Sequence, residues 1–227
     1  MTQTLTQRVA PFLVALCAAI VLIVSPLHVL FRPSYARYQY ARGGFPASSR
    51  FTPDERARLS DTILRYMEGS AALEEMASME TDNGSTALRP SEVEHLVDVK
   101  AVVRGLYVTQ AVALAVGALA FGILLRGHAQ HLATGIRVGV GLTAGLLVTI
   151  GAAAAVDFDR FFTIFHGVFF EAGTWTFFYE DTLIQLYPLP FWVSAVTHLL
   201  ILIAALGVLL LGLAGIIASR SRRVEAT

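Results

Sequence analysis

The sequence predicts an all-α membrane protein with four transmembrane helices, an extracytoplasmic helical cap and an aromatic-rich interfacial segment between the third and fourth spans. Of the 227 residues, 55% are hydrophobic and only 15% are charged, which is too apolar for a soluble domain. Four runs reach the roughly 20 apolar residues that a membrane-spanning helix needs. The formal net charge is zero, so nothing in the charge balance suggests a nucleic-acid partner.

The four apolar runs divide the chain. The first run is too long for the apolar part of a signal peptide, and no small-residue cleavage site follows it, so we predict a retained span. The predicted segments are 1–31 (N-terminus and first span), 32–104 (cap leading into the second span), 105–125 (second span), 126–137 (loop), 138–156 (third span), 157–190 (aromatic-rich segment), 191–218 (fourth span) and 219–227 (tail).

Basic residues beside the spans predict the orientation, because cytoplasmic flanks carry an excess of Lys and Arg. The loop 157–190 carries one basic residue, Arg160, against five acidic ones. We therefore predict that this loop is extracytoplasmic and that both termini and the loop 126–137 are cytoplasmic. The arginines on the predicted cytoplasmic side are Arg8, Arg126, Arg137, Arg220, Arg222 and Arg223.

Helix-capping patterns predict two helices in the cap. Thr52 with Glu55 has the spacing of a capping box, and Gly69 is a plausible stop for the helix that follows. Ser91 with Glu94 has the same spacing. No helix breaker separates Ser91 from the second span, so we predict one continuous helix from about this residue into the membrane.

His95 and Asp98 share one face of that helix, since they are three residues apart. The carboxylate could orient the imidazole and hold one of its tautomers. The alternative is that both residues belong to a solvated polar face.

The segment 158–192 concentrates aromatic residues around His166. It holds nine of the 14 Phe, both Trp and two of the seven Tyr. An interfacial aromatic belt is one explanation, but a belt needs only a few rings at each helix end. Such rings could accommodate acyl chains and exclude water, and burial would keep His166 neutral and usable as a general base. We predict that it lies on the same membrane face as His95.

Three stretches resemble a bacterial family of four-span membrane proteins, the lipoprotein intramolecular transacylase family. They are "EVEHLVDVK" at 92–100, "FHGVFF" at 165–170 and "DTLIQLYP" at 181–188. The span layout is also similar, so the resemblance covers nearly the whole chain.

The resemblance implies an acyltransferase of the bacterial cytoplasmic membrane. Such an enzyme moves the sn-2 acyl chain of a diacylglyceryl-cysteine lipoprotein to the α-amino group of the same cysteine, which yields a lyso-form lipoprotein. By motif, His95 and His166 would be catalytic, with no cofactor. The partners would be the diacylated lipoprotein N-terminus and membrane lipid, while the oligomeric state stays open.

The hypothetical mechanism divides the roles of base and proton donor between the two histidines. One histidine would deprotonate the amine, and the other would donate to the oxyanion and to the leaving glyceryl oxygen. Asp98 would orient a histidine. Because nucleophile and ester belong to one molecule, positioning would supply much of the rate. The predicted substrate-binding residues, some of which could instead be interface anchors, are Phe162, Phe165, Phe169, Trp175, Tyr179 and Tyr187.

Other function classes stay open on the sequence alone. A haem would need facing histidines, and only His28 and His198 approach matched depth. A zinc ion would need three or four clustered ligands, which His95, Asp98 and His166 could supply, although we predict no metal site. A transporter is disfavoured, because no inverted repeat or broken span is visible. A non-catalytic membrane protein that binds lipid or a partner in the same outer-leaflet pocket is the main alternative.

Polar and small residues inside the spans predict helix contacts. Ser194, Thr197 and His198 form a polar stripe that we expect to hydrogen-bond a neighbouring helix. The glycine-rich "GVGLTAG" at 139–145 predicts close helix packing.

Overall fold

A computed structural model describes residues 5–225 of the chain, with side chains from 9 to 222. The described part is helical, apart from one isolated antiparallel bridge between Glu80 and Thr86. The helices are α1 Leu5–Val24, α2 Leu27–Leu30, α3 Pro33–Tyr40, α4 Pro53–Glu68, α5 Leu73–Ala77, α6 Pro90–Leu125, α7 Ala129–Val156, α8 Phe158–Phe169, α9 Thr182–Leu186 and α10 Leu189–Glu225.

Four stretches of helix are long and apolar enough to cross a membrane, which confirms the predicted all-α, four-span class. They are Val9–Leu30, Pro90–Leu125, Ala129–Val156 and Leu189–Arg222.

The chain folds into two compact units. The first contains the described residues up to Pro26, Gly105–Phe161 and the described residues from Leu200 onward. The second contains Leu27–Arg104 and Phe162–Leu199. Both α6 and α10 contribute to each unit.

In the first unit, glycines let α7 approach α1 closely. A Cβ built on Gly139 would lie 2.5 Å from the carbonyl oxygen of Ala15, and one on Gly135 would lie 2.6 Å from that of Pro11. The predicted close packing is therefore confirmed at Gly139. Gly141, two residues further along, has nothing within 4 Å of such a Cβ.

We expect the substitution Gly139→Ala to lower the thermal unfolding temperature and Gly141→Ala to leave it unchanged or raise it. Alanine in place of a helical glycine gains about 0.5–1 kcal/mol of helix stability. At Gly139 a backbone clash opposes this gain, and overpacking typically costs about 1–3 kcal/mol. Thermal denaturation of the two purified variants measures the difference, and equal shifts would show that the α1–α7 approach does not limit stability.

Two boundaries in the first unit differ from the sequence prediction. The helix α7 begins at Ala129, so most of the predicted loop 126–137 is helical, and α10 continues into the predicted tail as far as Glu225. Hydrogen bonds explain the early start, because Gln130 Nε2 donates to the carbonyl of Ala218 at 3.0 Å. The side chain of Gln130 is thus satisfied by α10, whereas the buried Nδ1 of His131 has no hydrogen-bond partner among the described residues.

In the second unit, half of the first predicted capping box forms. The Thr52 hydroxyl accepts from the Glu55 backbone N–H at 3.2 Å, and Gly69 ends α4 with a positive φ of 87°. The Glu55 carboxylate does not return to Thr52. It accepts instead from the backbone N–H of Asp82 at 2.7 Å, because the chain folds back over α4.

The second predicted capping box is wrong by two residues. The helix α6 begins at Pro90, so Ser91 lies inside its first turn. Glu92, rather than Glu94, reaches back, and its Oε2 accepts from the backbone N–H of Arg89 at 2.9 Å. The single long helix that we predicted from here is confirmed.

The polar stripe on α10 contacts α3 and the chain beyond it through two of its three members. His198 Nδ1 lies 2.9 Å from the Tyr35 hydroxyl, and Ser194 Oγ accepts from Arg42 at 3.0 Å. The prediction is wrong for Thr197, which is exposed and donates to the carbonyl of Val193 within its own helix.

Candidate active site

The helix α6 carries His95 in its charged first part, ahead of the uncharged stretch 105–125. Its imidazole packs at an edge-to-face angle against Phe170 and Phe177, with ring centroids 5.1 Å and 5.3 Å away. The Nδ1 atom is buried and has no hydrogen-bond partner among the described residues. His95 therefore presents an uncommitted ring nitrogen within a cluster of aromatic rings.

The helix α8 carries His166, which is half-buried among aromatic rings. The ring centroids of Phe162, Trp175 and Phe165 lie 3.9 Å, 4.8 Å and 5.5 Å from that of the imidazole. This burial lowers the pKa of His166 below its ordinary value, and its hydrogen bond to the Phe162 carbonyl opposes the shift. The neutral imidazole is therefore the favoured form near pH 7.

A backbone hydrogen bond fixes the tautomer of His166. Its Nδ1 lies 2.8 Å from the carbonyl oxygen of Phe162, one turn earlier in α8. A carbonyl oxygen can only accept, so Nδ1 carries the hydrogen. In the neutral ring the lone pair then lies on Nε2, which is the form that a general base requires.

Phe170 brings the two histidines into one cluster. Its ring lies 5.1 Å from that of His95 and 5.9 Å from that of His166, and the two imidazoles interact electrostatically. The helices α6 and α8 are far apart in sequence, so this pairing is a product of the tertiary fold. All of these residues belong to the second unit.

Four residues of the predicted substrate-binding set lie among these rings. Phe162, Phe165 and Trp175 contact His166 directly, whereas Phe169 packs on Phe165 and on the shared ring Phe170, at 5.2 Å and 6.3 Å.

Sequence reasoning missed Phe170 and Phe177, the two rings that contact His95. Phe170 could have been found, since it lies four residues after His166 in the helical register of α8. Phe177 follows the turn at Gly173, which has a positive φ of 91°, and nothing in its spacing connects it to α6.

Two predicted substrate-binding residues are not among the ring contacts of either histidine. Tyr179 is 64% exposed, and its backbone carbonyl accepts from Gln185 at 2.7 Å. Tyr187 is buried and lies 3.0 Å from the Ser60 hydroxyl. Its ring packs on Phe191 at 5.1 Å, so Tyr187 belongs to the core between α4 and α10.

Asp98 acts on His95 through its charge, but not through a hydrogen bond. No hydrogen bond among the described residues joins it to His95, and its side chain is exposed. Within the described part of the chain, no group of three or more His, Cys, Asp and Glu side chains could hold a metal ion.

A buried carboxylate fixes α6 to the segment that follows the aromatic rings. Glu92 is fully buried, and its Oε1 accepts from the backbone N–H of Leu183 at 2.7 Å. Arg89 pairs with the buried Asp181 at 2.7 Å, and the Thr182 hydroxyl donates to a backbone carbonyl of the chain just before α6. These contacts anchor the segment carrying the aromatic rings beside His95.

Comparisons with known proteins agree with this architecture. Residues 11–192 match the family model of the lipoprotein intramolecular transacylase Lit. An uncharacterised protein of Aquifex aeolicus is 28% identical over 184 residues, which cover 81% of this chain and 82% of that protein.

Solved structures of the membrane-integral Lit of Bacillus cereus share the fold. A variant with one histidine replaced by arginine has a TM-score of 0.72 at 17% identity, with 96% of this chain and 94% of that chain covered. A variant with a histidine replaced by alanine has a TM-score of 0.71 at 18% identity, with 96% of both chains covered. With most of its length matched by the family model, this chain belongs to the lipoprotein intramolecular transacylase family.

Proposed function

We propose that this chain moves the sn-2 acyl chain of a diacylglyceryl-cysteine lipoprotein to the α-amino group of the same cysteine. The observation that carries the proposal is the pairing of His95 and His166 around Phe170 inside one aromatic cluster. Acyl transfer from an ester to an amine needs a base and a proton donor near one carbonyl group, and two imidazoles can supply both.

His166 is the base in this proposal. Its Nδ1 hydrogen is committed to the Phe162 carbonyl, which leaves the Nε2 lone pair to take a proton from the unprotonated substrate amine as it attacks. The amine nitrogen then forms a bond to the ester carbonyl carbon, and a tetrahedral oxyanion results.

His95 is the proton donor. A neutral imidazole carries one N–H, and His95 has no competing hydrogen bond at Nδ1 among the described residues. When the tetrahedral intermediate collapses, the carbon–oxygen bond to the glyceryl group breaks and the leaving oxygen receives a proton. The proton that His166 took from the amine replaces, directly or through solvent, the proton that His95 gave to the leaving oxygen. Both imidazoles are then neutral again, and one ester and one amine have become one amide and one alcohol.

The aromatic rings hold the acyl chains in this proposal. Phe165 and Phe169 are 47% and 43% exposed, so apolar surface is available beside the base. A lipid chain laid against these rings would bury that surface and displace water from the reacting ester. The charge pattern of the flanks supports a site on the extracytoplasmic face of a bacterial cytoplasmic membrane, with both termini cytoplasmic.

The substrate α-amine titrates at about 7.7–8.0, so kcat/KM is expressed per unprotonated amine. The acid limb of this corrected kcat/KM is expected below the ordinary imidazole pKa of about 6.5, because only neutral His166 accepts a proton and burial lowers its pKa. The corrected kcat/KM should therefore persist as the pH falls through the ordinary value and disappear only at lower pH. A profile on a purified preparation with a synthetic diacylated lipopeptide measures this limb, and a midpoint at or above about 6.5 would contradict a buried neutral base.

Expression in a bacterium whose lipoproteins are diacylated with a free α-amino group tests the function. Tandem mass spectrometry of the N-terminal lipopeptide is expected to show N-acyl, S-monoacylglyceryl cysteine. An unchanged diacylated lipopeptide, with the protein folded in the membrane, would contradict acyl transfer and favour a non-catalytic lipid- or partner-binding role.

A further inference from the structure

The indole nitrogen of Trp175 is a buried donor that the roles assigned to His95 and His166 do not use. Its Nε1 has no hydrogen-bond partner among the described residues. An indole N–H can only donate, and buried polar groups without partners are few in native proteins. A ligand atom that accepts a hydrogen bond would satisfy it.

The placement of Trp175 restricts what this N–H can reach. Its ring lies 4.8 Å from that of His166, with only 31° between the ring planes. The N–H lies in the indole plane, so it runs alongside the imidazole and does not point into its face. The His166 Nδ1 hydrogen is bonded to the Phe162 carbonyl, so Nε2 is the acceptor atom of this ring, and the indole N–H makes no hydrogen bond to it.

The tetrahedral intermediate requires a hydrogen-bond donor close to the base His166. The base must lie within about 3 Å of the attacking nitrogen, and an oxyanion donor within about 3 Å of the developing O⁻. The nitrogen and the O⁻ are bonded to the same carbon. The base and the oxyanion donor should therefore lie on neighbouring side chains, and Trp175 is the ring stacked most nearly parallel to His166 among the contacts described above.

We propose that Trp175 is a catalytic residue whose Nε1–H donates to the ester carbonyl oxygen and, more strongly, to the oxyanion formed when the amine attacks. The inference rests on the proposed acyl transfer. His95 is then free to protonate the leaving glyceryl oxygen, while Trp175 stabilises the charge on the other oxygen of the same carbon. The donor is fixed before the reaction by its ring contacts with His166 and Phe162.

Interfacial anchoring is the competing role for a tryptophan in a membrane protein. An anchoring indole keeps its N–H toward water and headgroups, and the buried Nε1 of Trp175 does not fit that arrangement. Trp192, the other tryptophan of the chain, is 51% exposed and packs on Tyr187 and Phe191. It provides a matched control away from the histidines.

The test replaces Trp175 by benzothienylalanine, in which sulphur takes the place of the indole N–H and the bicyclic ring is kept. The same residue at Trp192 is the control, and thermal unfolding checks that both variants fold. Turnover of a synthetic diacylated lipopeptide by the purified full-length protein is then measured. Loss of one oxyanion donor is expected to lower kcat by about 100-fold or more at position 175, with KM nearly unchanged, whereas the control keeps wild-type kcat.

The outcomes separate the two proposals. Wild-type kcat for the Trp175 replacement would overturn the oxyanion role and leave the acyl transfer standing. A rise in KM alone would also overturn it, because that result describes a binding wall. Absence of N-acyl product from the wild-type protein would overturn the proposed function and the Trp175 role with it. Trp175→Phe, which also lacks the N–H, should show the same loss of kcat.

Discussion

Replacement of His166 by alanine is expected to abolish measurable formation of N-acyl lipopeptide. General base catalysis typically contributes about 10²–10⁴-fold, because the base removes the proton that the amine must lose when it attacks the carbonyl carbon. The enclosing rings of Phe162, Phe165 and Trp175 would remain, so lipopeptide binding should change less than turnover. Steady-state kinetics on purified protein measures the two effects separately.

His28→Ala is the control for this experiment, because His28 is exposed and lies on α2, which contributes none of the His166 ring contacts described above. It should retain wild-type kcat. Retained turnover in His166→Ala, with the protein folded, would remove His166 from the chemistry. A loss confined to KM would make it a binding residue.

Replacement of Glu92 by alanine is expected to give the largest loss of stability in the second unit. It removes the acceptor for two backbone N–H groups, those of Arg89 and Leu183. A buried polar group without its partner costs about 1–3 kcal/mol, and two are created here. Because Glu92 joins α6 to the segment after the aromatic rings, His95 should also lose its fixed position relative to Phe177, and kcat should fall.

Glu94→Ala is the matched control, since Glu94 is two residues away on the same helix and exposed. Thermal unfolding and turnover of the two variants are compared under the same conditions. Equal unfolding temperatures would show that the Glu92 contacts do not hold the segment. Glu92→Gln should be intermediate, because its amide oxygen can still accept one of the two hydrogen bonds.

The four spans were predictable because bilayer insertion depends on composition and length, which are local properties of the sequence. His95 and His166 were chosen as candidates from the motifs around each of them. Their contact with the same ring, that of Phe170, was not predictable, because the sequence does not indicate how the segment after α8 folds back. The start of α6 was predicted two residues too late for a related reason. Ser91–Glu94 and Arg89–Glu92 share the three-residue spacing, and residue type favours the first, because a capping box has Ser or Thr at the N-cap. The helix begins at the second because the buried Glu92 also accepts from Leu183.

Tyr187 illustrates the same limit. A tyrosine beside prolines at a span entrance is typical of interface anchors and of pocket walls alike, and the sequence offers no sign of its hydrogen bond to Ser60. Asp98 was assigned an orienting role from helical spacing alone. Spacing places two side chains on one face of a helix, but it does not show that they bond to each other. Among the described residues, the exposed Asp98 carboxylate makes no hydrogen bond to His95.

Acyl transfer within a single substrate molecule is tested most directly by a crossover measurement. Two diacylated lipopeptides that differ in peptide mass and in sn-2 chain length are mixed with the purified protein, and the products are read by tandem mass spectrometry. The mechanism predicts N-acyl products in which each peptide carries only its own sn-2 chain. Products with exchanged chains, or no N-acyl product at all, would contradict it.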